Sequence, residues 1–369
     1  MRGFIGGLVM GLVIGVVLAV TAPGSKTSDP SLNTGQSSSR LTNSNNTEKP
    51  VKWKLASAFP SEMPLSGSLG LTLIDRLKKI SSGKIDVEFH EPGALVPTLD
   101  LFEAVASGTV DAGLASSQFW GDKSAAFELF GAVPFGPDIA SHLAWFRHHG
   151  GQTLYEEIYH RNNIHSLICG VTGAAGAGWF DHPIKELKDL KGLKIAATGL
   201  AARVYRFIGA TTVSLAPADI LTALKEKKVD GVAYSTPAAD EFLKLTDYAK
   251  YYYFPGWFQQ AGFIDFMINL TKWQELSSSQ QKIIETACMA NMEYSLAAGE
   301  AGQFDALKNI VIRGVDVKKF PPKITLALKR AWLEVAKTRA SANKDFRRVI
   351  NSLKNFREDY SIWQELGKI

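Results

Sequence analysis

The residue types that most often carry catalysis lack, in this sequence, the spacing that catalysis requires. Seven histidines occur, including the adjacent His148 and His149, but their separations are not those of metal ligands. The glycine-rich stretch GVTGAAGAG at 170–178 is not followed by the Lys and Ser or Thr of a phosphate-binding loop, and there is no nucleophile elbow or HExxH motif. We therefore expect no enzyme, no metal and no cofactor, and we interpret 170–178 as a tight hinge loop.

Aromatic and amide side chains follow several predicted strands, a pattern that is typical of ligand capture. Gln118 and Trp120 come after the apolar strand AGLA. Phe59 lies in the first loop of the folded region, and Tyr234 ends a buried strand. Parallel sheets bind ligands at the carboxyl ends of their strands, and aromatic faces suit the walls of a small-molecule crevice. We predict that these four residues contact a ligand; the alternative for each is ordinary core packing.

Two stretches of alternating strands and helices must position these residues. The predicted strands are 51–56, 85–89, 112–115, 166–169, 193–196, 229–234 and 263–269, and the predicted helices are 71–80, 101–106, 202–208 and 218–227. The alternation predicts an α/β protein with mostly parallel sheets, and helices dominate after residue 269.

The start of the chain is typical of an exported protein. The uncharged run 4–20 follows Arg2, which predicts either a signal peptide or a membrane anchor over 1–23. Residues 24–50 contain almost no apolar side chains, so we expect a disordered tether there. The expected location is the periplasm, and anchoring to the inner membrane by the N-terminal segment stays open.

Composition and charge exclude other classes. The net charge of +5 is spread over 369 residues without a dense basic block, so we expect no nucleic-acid partner. The 46% hydrophobic content is that of a globular protein with a large core. Cys169 and Cys288 stand far apart in apolar surroundings, which favours buried free thiols, although a single bridge remains an alternative.

Five short stretches carry a resemblance to a known family. They are FEAVASG at 102–108, AVPFG at 132–136, DLKGLKI at 189–195, YYYFPGW at 251–257 and YSIW at 360–363. With these stretches the chain resembles, over about residues 52–366, the extracytoplasmic solute receptors of TRAP (tripartite ATP-independent periplasmic) transporters, the DctP family. The branch that binds 2-oxo acids and other small organic acids is the most similar.

The resemblance implies a two-lobed periplasmic-binding-protein fold with hinge strands, a long bracing helix and a helical C-terminus. Lobe I would begin with 51–172, lobe II would comprise 173–254, and 255–369 would supply the returning hinge strand, the bracing helix and the C-terminal helices. The implied partners are a small-molecule ligand and the TRAP membrane subunits, and a homodimer through the C-terminal helices is suggested. A membrane-tethered sensor or scaffold with the same fold is the alternative function.

Four positions depart from what the resemblance implies. Family members hold the ligand carboxylate with an Arg directly after the GLKI strand, where this chain has Ala196. The resemblance also places oxygen donors, two of them charged, where this chain has Ala175, Ala233 and Gln259. Because an unpartnered buried carboxylate costs several kcal/mol, we expect a neutral or largely apolar ligand and no cation site.

Three further candidates come from the same alignment. Trp179 and Trp257 stand where the family lines its crevice, with packing of the hinge or of the lobes as the alternative. Arg203 opens the helix after the altered strand and could supply a displaced positive charge to a ligand. Exposure to solvent is the alternative for Arg203, because a cation is unfavourable at a helix start.

Overall fold

Two β-sheets form the frame of the protein, for which a computed structural model describes residues 48–367. The strands are β1 (Val51–Ser57), β2 (Ile85–His90), β3 (Ala112–Ala115), β4 (Ile164–Thr172), β5 (Gly178–Phe180), β6 (Lys194–Ala196), β7 (Thr211–Val213), β8 (Gly231–Val232), β9 (Tyr251–Tyr253), β10 (Gly262–Asn269) and β11 (Asp316–Lys318). The first sheet has the order β2-β1-β3-β10-β4, and the second has the order β11-β9-β5-β8-β6-β7.

Helices cover both sheets and form the whole C-terminal part. They are α1 (Ser68–Ile80), α2 (Leu101–Ser107), α3 (Phe127–Gly131), α4 (Ile139–His148), α5 (Gly151–His160), α6 (Gly199–Phe207), α7 (Pro217–Lys225), α8 (Pro237–Phe242), α9 (Leu270–Gln274), α10 (Ser278–Ile312), α11 (Pro322–Ala342) and α12 (Lys344–Leu366). We call the first sheet together with α1–α5 lobe I, and the second sheet together with α6–α8 lobe II. This architecture confirms the predicted two-lobed α/β fold with a helical C-terminus.

Apolar periodicity explains why the first elements form. Strand β1 alternates buried and exposed residues at its start, as a strand with one packed face must. In α1, Leu69, Leu73 and Leu77 recur at helical spacing and are fully buried against the sheet.

Both sheets are mixed, so the prediction of mostly parallel sheets is wrong. Strand β1 pairs in parallel with β2 and β3, but β10 runs antiparallel to both β3 and β4. The cause is the path of the chain between the lobes. It leaves the first sheet through β4 and residues 173–177 and enters the second sheet as β5; it later returns through residues 254–261 as β10.

The two crossing segments bind each other and form the hinge. The Ala175 backbone N–H donates to the Gln259 carbonyl at 3.0 Å, and the Ala175 carbonyl accepts from the Gly256 N–H. A side chain at Gly256 is excluded, because a Cβ there would lie 2.6 Å from the Ala175 carbonyl oxygen. The predicted tight hinge loop at 170–178 is therefore a crossing segment held by backbone hydrogen bonds.

The 35-residue helix α10 lies along both lobes. It begins with a capping box, in which Ser277 and Gln280 bond each other's backbone N–H groups. The Asn291 amide donates to the carbonyls of Leu69 and Cys169 in lobe I, while Gln303 accepts from the Ala238 N–H at the start of α8 in lobe II. This helix is the predicted bracing helix.

Cys169 and Cys288 form a disulfide, so the expectation of free thiols is wrong. The bond joins β4 to the bracing helix across 119 positions of sequence, and spacing alone could not reveal that the two residues meet. Disulfides persist in oxidising compartments, which agrees with export.

The predicted signal peptide or anchor at 1–23 and all but the last residues of the predicted tether at 24–50 lie outside the described residues. Among residues 48–367, no helix has both the length and the apolar character needed to cross a membrane.

Candidate ligand-binding site

A small cavity lies where the two lobes and the hinge meet. Its volume is about 20 Å³, which is room for little more than one water molecule. Its walls are hydroxyl, amide, aromatic and aliphatic side chains together with one glycine. They belong to Phe59, Ser66, Ser116, Gln118, Phe119, Thr172, Tyr234, Ser235, Gln259, Gly262, Phe263 and Ile264.

Lobe I supplies an aromatic wall that local hydrogen bonds hold in place. The Ser57 hydroxyl donates to the Phe59 carbonyl at 2.7 Å and accepts from the Phe59 N–H at 3.0 Å, which fixes the turn after β1. The Phe59 ring packs against Phe119, with 5.9 Å between the ring centroids. Gln118 lies beside Phe119 in a short helical turn after β3, so the amide and the ring reach the cavity from the same strand end.

Lobe II supplies hydroxyl groups from the segment after β8. Tyr234 and Ser235 line the cavity, and the Ser235 carbonyl accepts from the Gly176 N–H of the hinge at 2.8 Å. Burial raises the pKa of the Tyr234 hydroxyl far above its ordinary value, so this group stays protonated and can donate a hydrogen bond to a ligand.

The hinge supplies an amide whose orientation is fixed. Gln259 Nε2 donates to Thr172 Oγ1 at 3.2 Å and to the Gly173 carbonyl at 3.3 Å. A backbone carbonyl only accepts, so the amide nitrogen must face it, and Gln259 Oε1 remains an acceptor. Gly262 permits this contact, because a Cβ there would lie 2.5 Å from Thr172 Oγ1 and 3.0 Å from Gln259 Nε2.

No charged side chain lines the cavity among the described residues. Two buried carboxyl groups lie behind its walls. Asp240 accepts a 2.8 Å hydrogen bond from Trp179 Nε1, and burial raises its pKa to about 8. Asp265 accepts from the Tyr159 hydroxyl at 3.0 Å, and burial raises its pKa to about 7. At neutral pH the Asp240 carboxyl is therefore mostly protonated, whereas Asp265, whose pKa lies near neutrality, is ionised in part.

Four of the ten residues predicted to contact ligand lie in the cavity wall. These four are Phe59, Gln118, Tyr234 and Gln259. Trp120 is instead packed in the lobe I core against Phe102, and Trp179 stacks on Tyr252 in the interior of lobe II.

The remaining predicted residues lie in the hinge, the second sheet and the contact between the lobes. Ala175 is part of the hinge, and the Ala196 carbonyl accepts from the Ala233 N–H at the ends of β6 and β8. Trp257 is buried between Phe135 of lobe I and Tyr205 of lobe II, with 5.8 and 5.3 Å between ring centroids.

Arg203 does not line this cavity; it lines a second recess of about 290 Å³ between the lobes, beside Gln118 and Phe119, and is partly exposed. Its Nε donates to both carboxylate oxygens of the buried Glu128, at 2.8 and 3.0 Å. Arg339 of α11 donates to the same carboxylate at 2.9 Å. A positive charge held in this way is not available for a ligand carboxylate.

Several cavity residues gave no sequence signal. Ser66, Ser116 and Thr172 are small polar residues that belong to no sequence motif. Phe263 lies in a strand whose apolar sequence is that of an ordinary core strand. Thr172 lies within the glycine-rich stretch 170–178, and that position is the one clue in the sequence.

A resident metal is not indicated by the described part of the chain, where no three His, Cys, Asp or Glu side chains converge. The cavity can therefore offer hydrogen-bond donors, acceptors and apolar surface, but no carboxylate ligand for a cation.

Comparisons with known proteins identify relatives over most of this chain. The profile of the bacterial extracellular solute-binding proteins, family 7, matches residues 55–343. A monocarboxylate 2-oxoacid-binding periplasmic protein of Nostoc sp. is 29% identical over 320 residues, which are 86% of this chain and 87% of that protein.

Solved structures give the same fold. A TRAP transporter solute-binding protein of Bordetella bronchiseptica is 28% identical with a TM-score of 0.84, over 86% of this chain and 95% of that one; it is a dimer with co-purified calcium and picolinate in one site and an apo second site. A TRAP periplasmic solute-binding protein of Pseudoalteromonas atlantica, with bound sodium and pyruvate, is 27% identical with a TM-score of 0.81, over 86% and 97% of the two chains.

Proposed function

We propose that this chain, which belongs to the bacterial extracellular solute-binding protein family 7, captures a small uncharged organic molecule between its lobes. As a TRAP-type extracytoplasmic solute receptor it is a binding protein and not an enzyme. The ligand class is the part of this conclusion that goes beyond the family.

The observation that carries the proposal is the absence of charged side chains from the described cavity wall. The Bordetella and Pseudoalteromonas proteins hold a carboxylate together with calcium or sodium. Calcium prefers carboxylate oxygens, and a buried carboxylate needs a cationic or hydrogen-bonding partner. Here Arg203 is bonded to Glu128 outside the cavity, and Gln259 supplies a neutral amide.

The cavity also limits what the ligand can be. The cavity of about 20 Å³ holds little more than a water molecule as it stands, so a ligand of only a few heavy atoms fits with the smallest separation of the walls. Gln259 Oε1 can accept a hydrogen bond from a donor on the ligand, and the Tyr234 hydroxyl can donate one to an acceptor. The rings of Phe59 and Phe263 can pack against an apolar end of the ligand. A short alcohol, amide or hydroxyketone has this combination of groups.

Ligand capture would follow from closure of the lobes. Residues of lobe I, lobe II and the hinge all line the cavity, so a ligand touches all of them only when the lobes are closed. A ligand that contacts both lobes shifts the population toward the closed state. The TRAP membrane subunits would then receive it.

The first test is native mass spectrometry of the purified protein, followed by extraction and identification of any co-purified molecule. We expect an uncharged compound. A bound 2-oxo acid with calcium or sodium would overturn the proposed ligand class, and a reproducibly empty cavity would favour the sensor or scaffold function.

A second test compares matched probes. Thermal shifts are measured with hydroxyacetone and with pyruvate, each with calcium chloride and with EDTA. We expect stabilisation by the uncharged probe alone, independent of calcium. Gln259→Leu should weaken that binding about tenfold, the effect of one lost hydrogen bond. Gln281→Leu is the control, because Gln281 bonds the Trp273 carbonyl outside the cavity.

A homodimer through the C-terminal helices is a further proposal. Exposed apolar side chains occur at Leu333 on α11 and at Ile362, Trp363 and Leu366 on α12. Light scattering coupled to size exclusion should give a dimer that Trp363→Lys dissociates. Phe304→Lys on α10, also at an exposed apolar position, is the control. A monomeric wild-type protein would contradict the proposal.

A further inference from the structure

Glu128 is a buried carboxylate that bonds two arginines away from the cavity. Its side chain is only 3% exposed, while Arg203 and Arg339 are 28% and 23% exposed. The carboxylate lies tight against Gly121, where a Cβ would come within 2.5 Å of Glu128 Oε1. The Glu128 carboxylate is therefore buried and closely packed.

The three charges come from different parts of the closed structure. Glu128 is on α3, in lobe I. Arg203 is on α6, in lobe II. Arg339 is on α11, which packs against α6. The Glu128–Arg203 pair therefore crosses the seam between the lobes on the α3–α6 side, while Arg339 joins it from α11, which packs against α6 and against α12.

A second contact lies along the same seam. The Phe135 backbone N–H of lobe I donates at 2.7 Å to the carbonyl of Trp257 in the hinge segment 254–261, and the Trp257 ring packs against Tyr205 of α6 in lobe II. This amide is a reporter of closure that lies outside the ion cluster.

We infer that Glu128 is a positioning residue for ligand capture, which holds the lobes closed through Arg203 and Arg339 without touching the ligand. In an open form Arg203 would leave Glu128 together with α6, and the two groups would be hydrated separately. Removal of the carboxylate from the closed form leaves two guanidinium groups side by side with no partner, and loss of one member of a buried ion cluster is strongly unfavourable. This inference deepens the proposed receptor function and rests on it, but it does not depend on the identity of the ligand.

The test uses the purified ligand-free protein. Amide hydrogen exchange of the peptide that contains Phe135 reports opening, and small-angle X-ray scattering gives the radius of gyration. Glu128→Gln should speed exchange at Phe135 about tenfold and enlarge the particle, while exchange in β1 stays unchanged. The double variant Glu128→Gln/Arg203→Gln should exchange no faster than Glu128→Gln alone, because both changes remove the same contact.

The matched control is Asp345→Asn. Asp345 is bonded to Arg161 at 2.6 Å, and both residues lie on the lobe I side, on α12 and at the end of α5. This substitution should leave exchange at Phe135 and the radius of gyration as in the wild type.

Two results would overturn the inference. One is unchanged exchange and an unchanged radius of gyration in Glu128→Gln. The other concerns Arg203→Gln, which is needed if Glu128→Gln speeds exchange everywhere, because it leaves the Glu128–Arg339 pair in place. Faster exchange confined to Phe135 in Arg203→Gln supports the inference. A uniform increase in that variant overturns it. A carboxylate found in the cavity would overturn the ligand class and leave this inference standing.

Discussion

The two sides of the cavity are held together by different kinds of interaction. At the hinge, Ala175 is fixed by backbone hydrogen bonds, and the adjacent strand β4 is tied to α10 by the Cys169–Cys288 disulfide. At the seam, Glu128 and two arginines supply an ionic contact. Covalent and backbone bonds persist when a binding protein opens, whereas an ion cluster can be separated and hydrated. The charged groups at the seam thus bond one another, and among the described residues no charged side chain lines the cavity.

The largest expected effect comes from removal of the hinge disulfide. The double variant Cys169→Ser/Cys288→Ser should lose about 4 kcal/mol of unfolding free energy, because the bond closes a loop of more than one hundred residues in the unfolded chain. Urea unfolding measures the change. Dithiothreitol should destabilise the wild type and leave the double variant unaffected.

Exchange at Phe135 in folded Cys169→Ser/Cys288→Ser should stay at the wild-type rate. Faster exchange there would show that the disulfide and the ion cluster act on the same opening, and the distinction between hinge and seam would fail.

A smaller effect is expected from Gly262→Ala at the hinge. The new Cβ would press on Thr172 Oγ1 and Gln259 Nε2, so the variant should lose about 1–3 kcal/mol and bind its ligand more weakly. Gly302→Ala on α10 is the matched control. Its Cβ meets no atom within 4 Å, and the helix gains up to about 1 kcal/mol from alanine. Urea unfolding of both variants compares the two outcomes; equal destabilisation would contradict the close packing at Gly262.

Buried carboxyl groups predict how stability depends on pH. Burial raises the pKa of Asp240 to about 8 and that of Asp265 to about 7, so the folded protein holds protons that the unfolded chain releases. Unfolding free energy should therefore fall by about 1–2 kcal/mol per group at most as the pH rises from 6.5 to 8. Burial lowers the pKa of His142 and of His165 to about 3, so the unfolded chain binds protons that the folded protein does not. These two histidines make the unfolding free energy rise with pH, but only below about pH 6.5, where the unfolded chain is protonated.

Asp240→Asn isolates the contribution of one carboxyl group. The variant keeps an acceptor for Trp179 Nε1 and should show a flatter dependence of unfolding free energy on pH between 6.5 and 8. Urea unfolding at the two pH values measures it. A slope equal to that of the wild type would mean that Asp240 is ionised in the folded protein.

The sequence predicts many of the strands and helices, among them the short strands β3 and β6, and misses others, among them the ten-residue helices α4 and α5. Strand β1 and helix α1 appear where apolar periodicity places them. Strands β5 and β9 have three residues each, and their pairing depends on where the chain crosses between the lobes, which local pattern does not encode. The predicted strand 229–234 shortens to β8 (Gly231–Val232), because its end turns into the cavity wall.

The candidate site was predictable only where residue type and strand end coincide. Gln118 and Tyr234 follow strands and line the cavity. Trp120 and Trp179 satisfy the same rule but pack in the protein interior. Sequence spacing cannot distinguish a residue of the cavity wall from a residue of the hydrophobic core. Glu128 and Arg339 are 211 positions apart, so only the fold brings them together.

The smallest expected effect is the response of the seam to salt. Raising sodium chloride from 50 to 500 mM should speed exchange at Phe135 about two- to fourfold in the wild type, because ions stabilise the separated charges of Glu128, Arg203 and Arg339 in the open form. The burial of Glu128 keeps the effect modest. In Glu128→Gln the same change of salt should not speed exchange at Phe135, because ions screen the repulsion between the two remaining guanidinium groups in the closed form. Equal acceleration in both proteins would place the salt-sensitive contact elsewhere. The rate of amide hydrogen exchange at Ala175 should not depend on salt in either protein, because the contacts of Ala175 are backbone hydrogen bonds of the hinge.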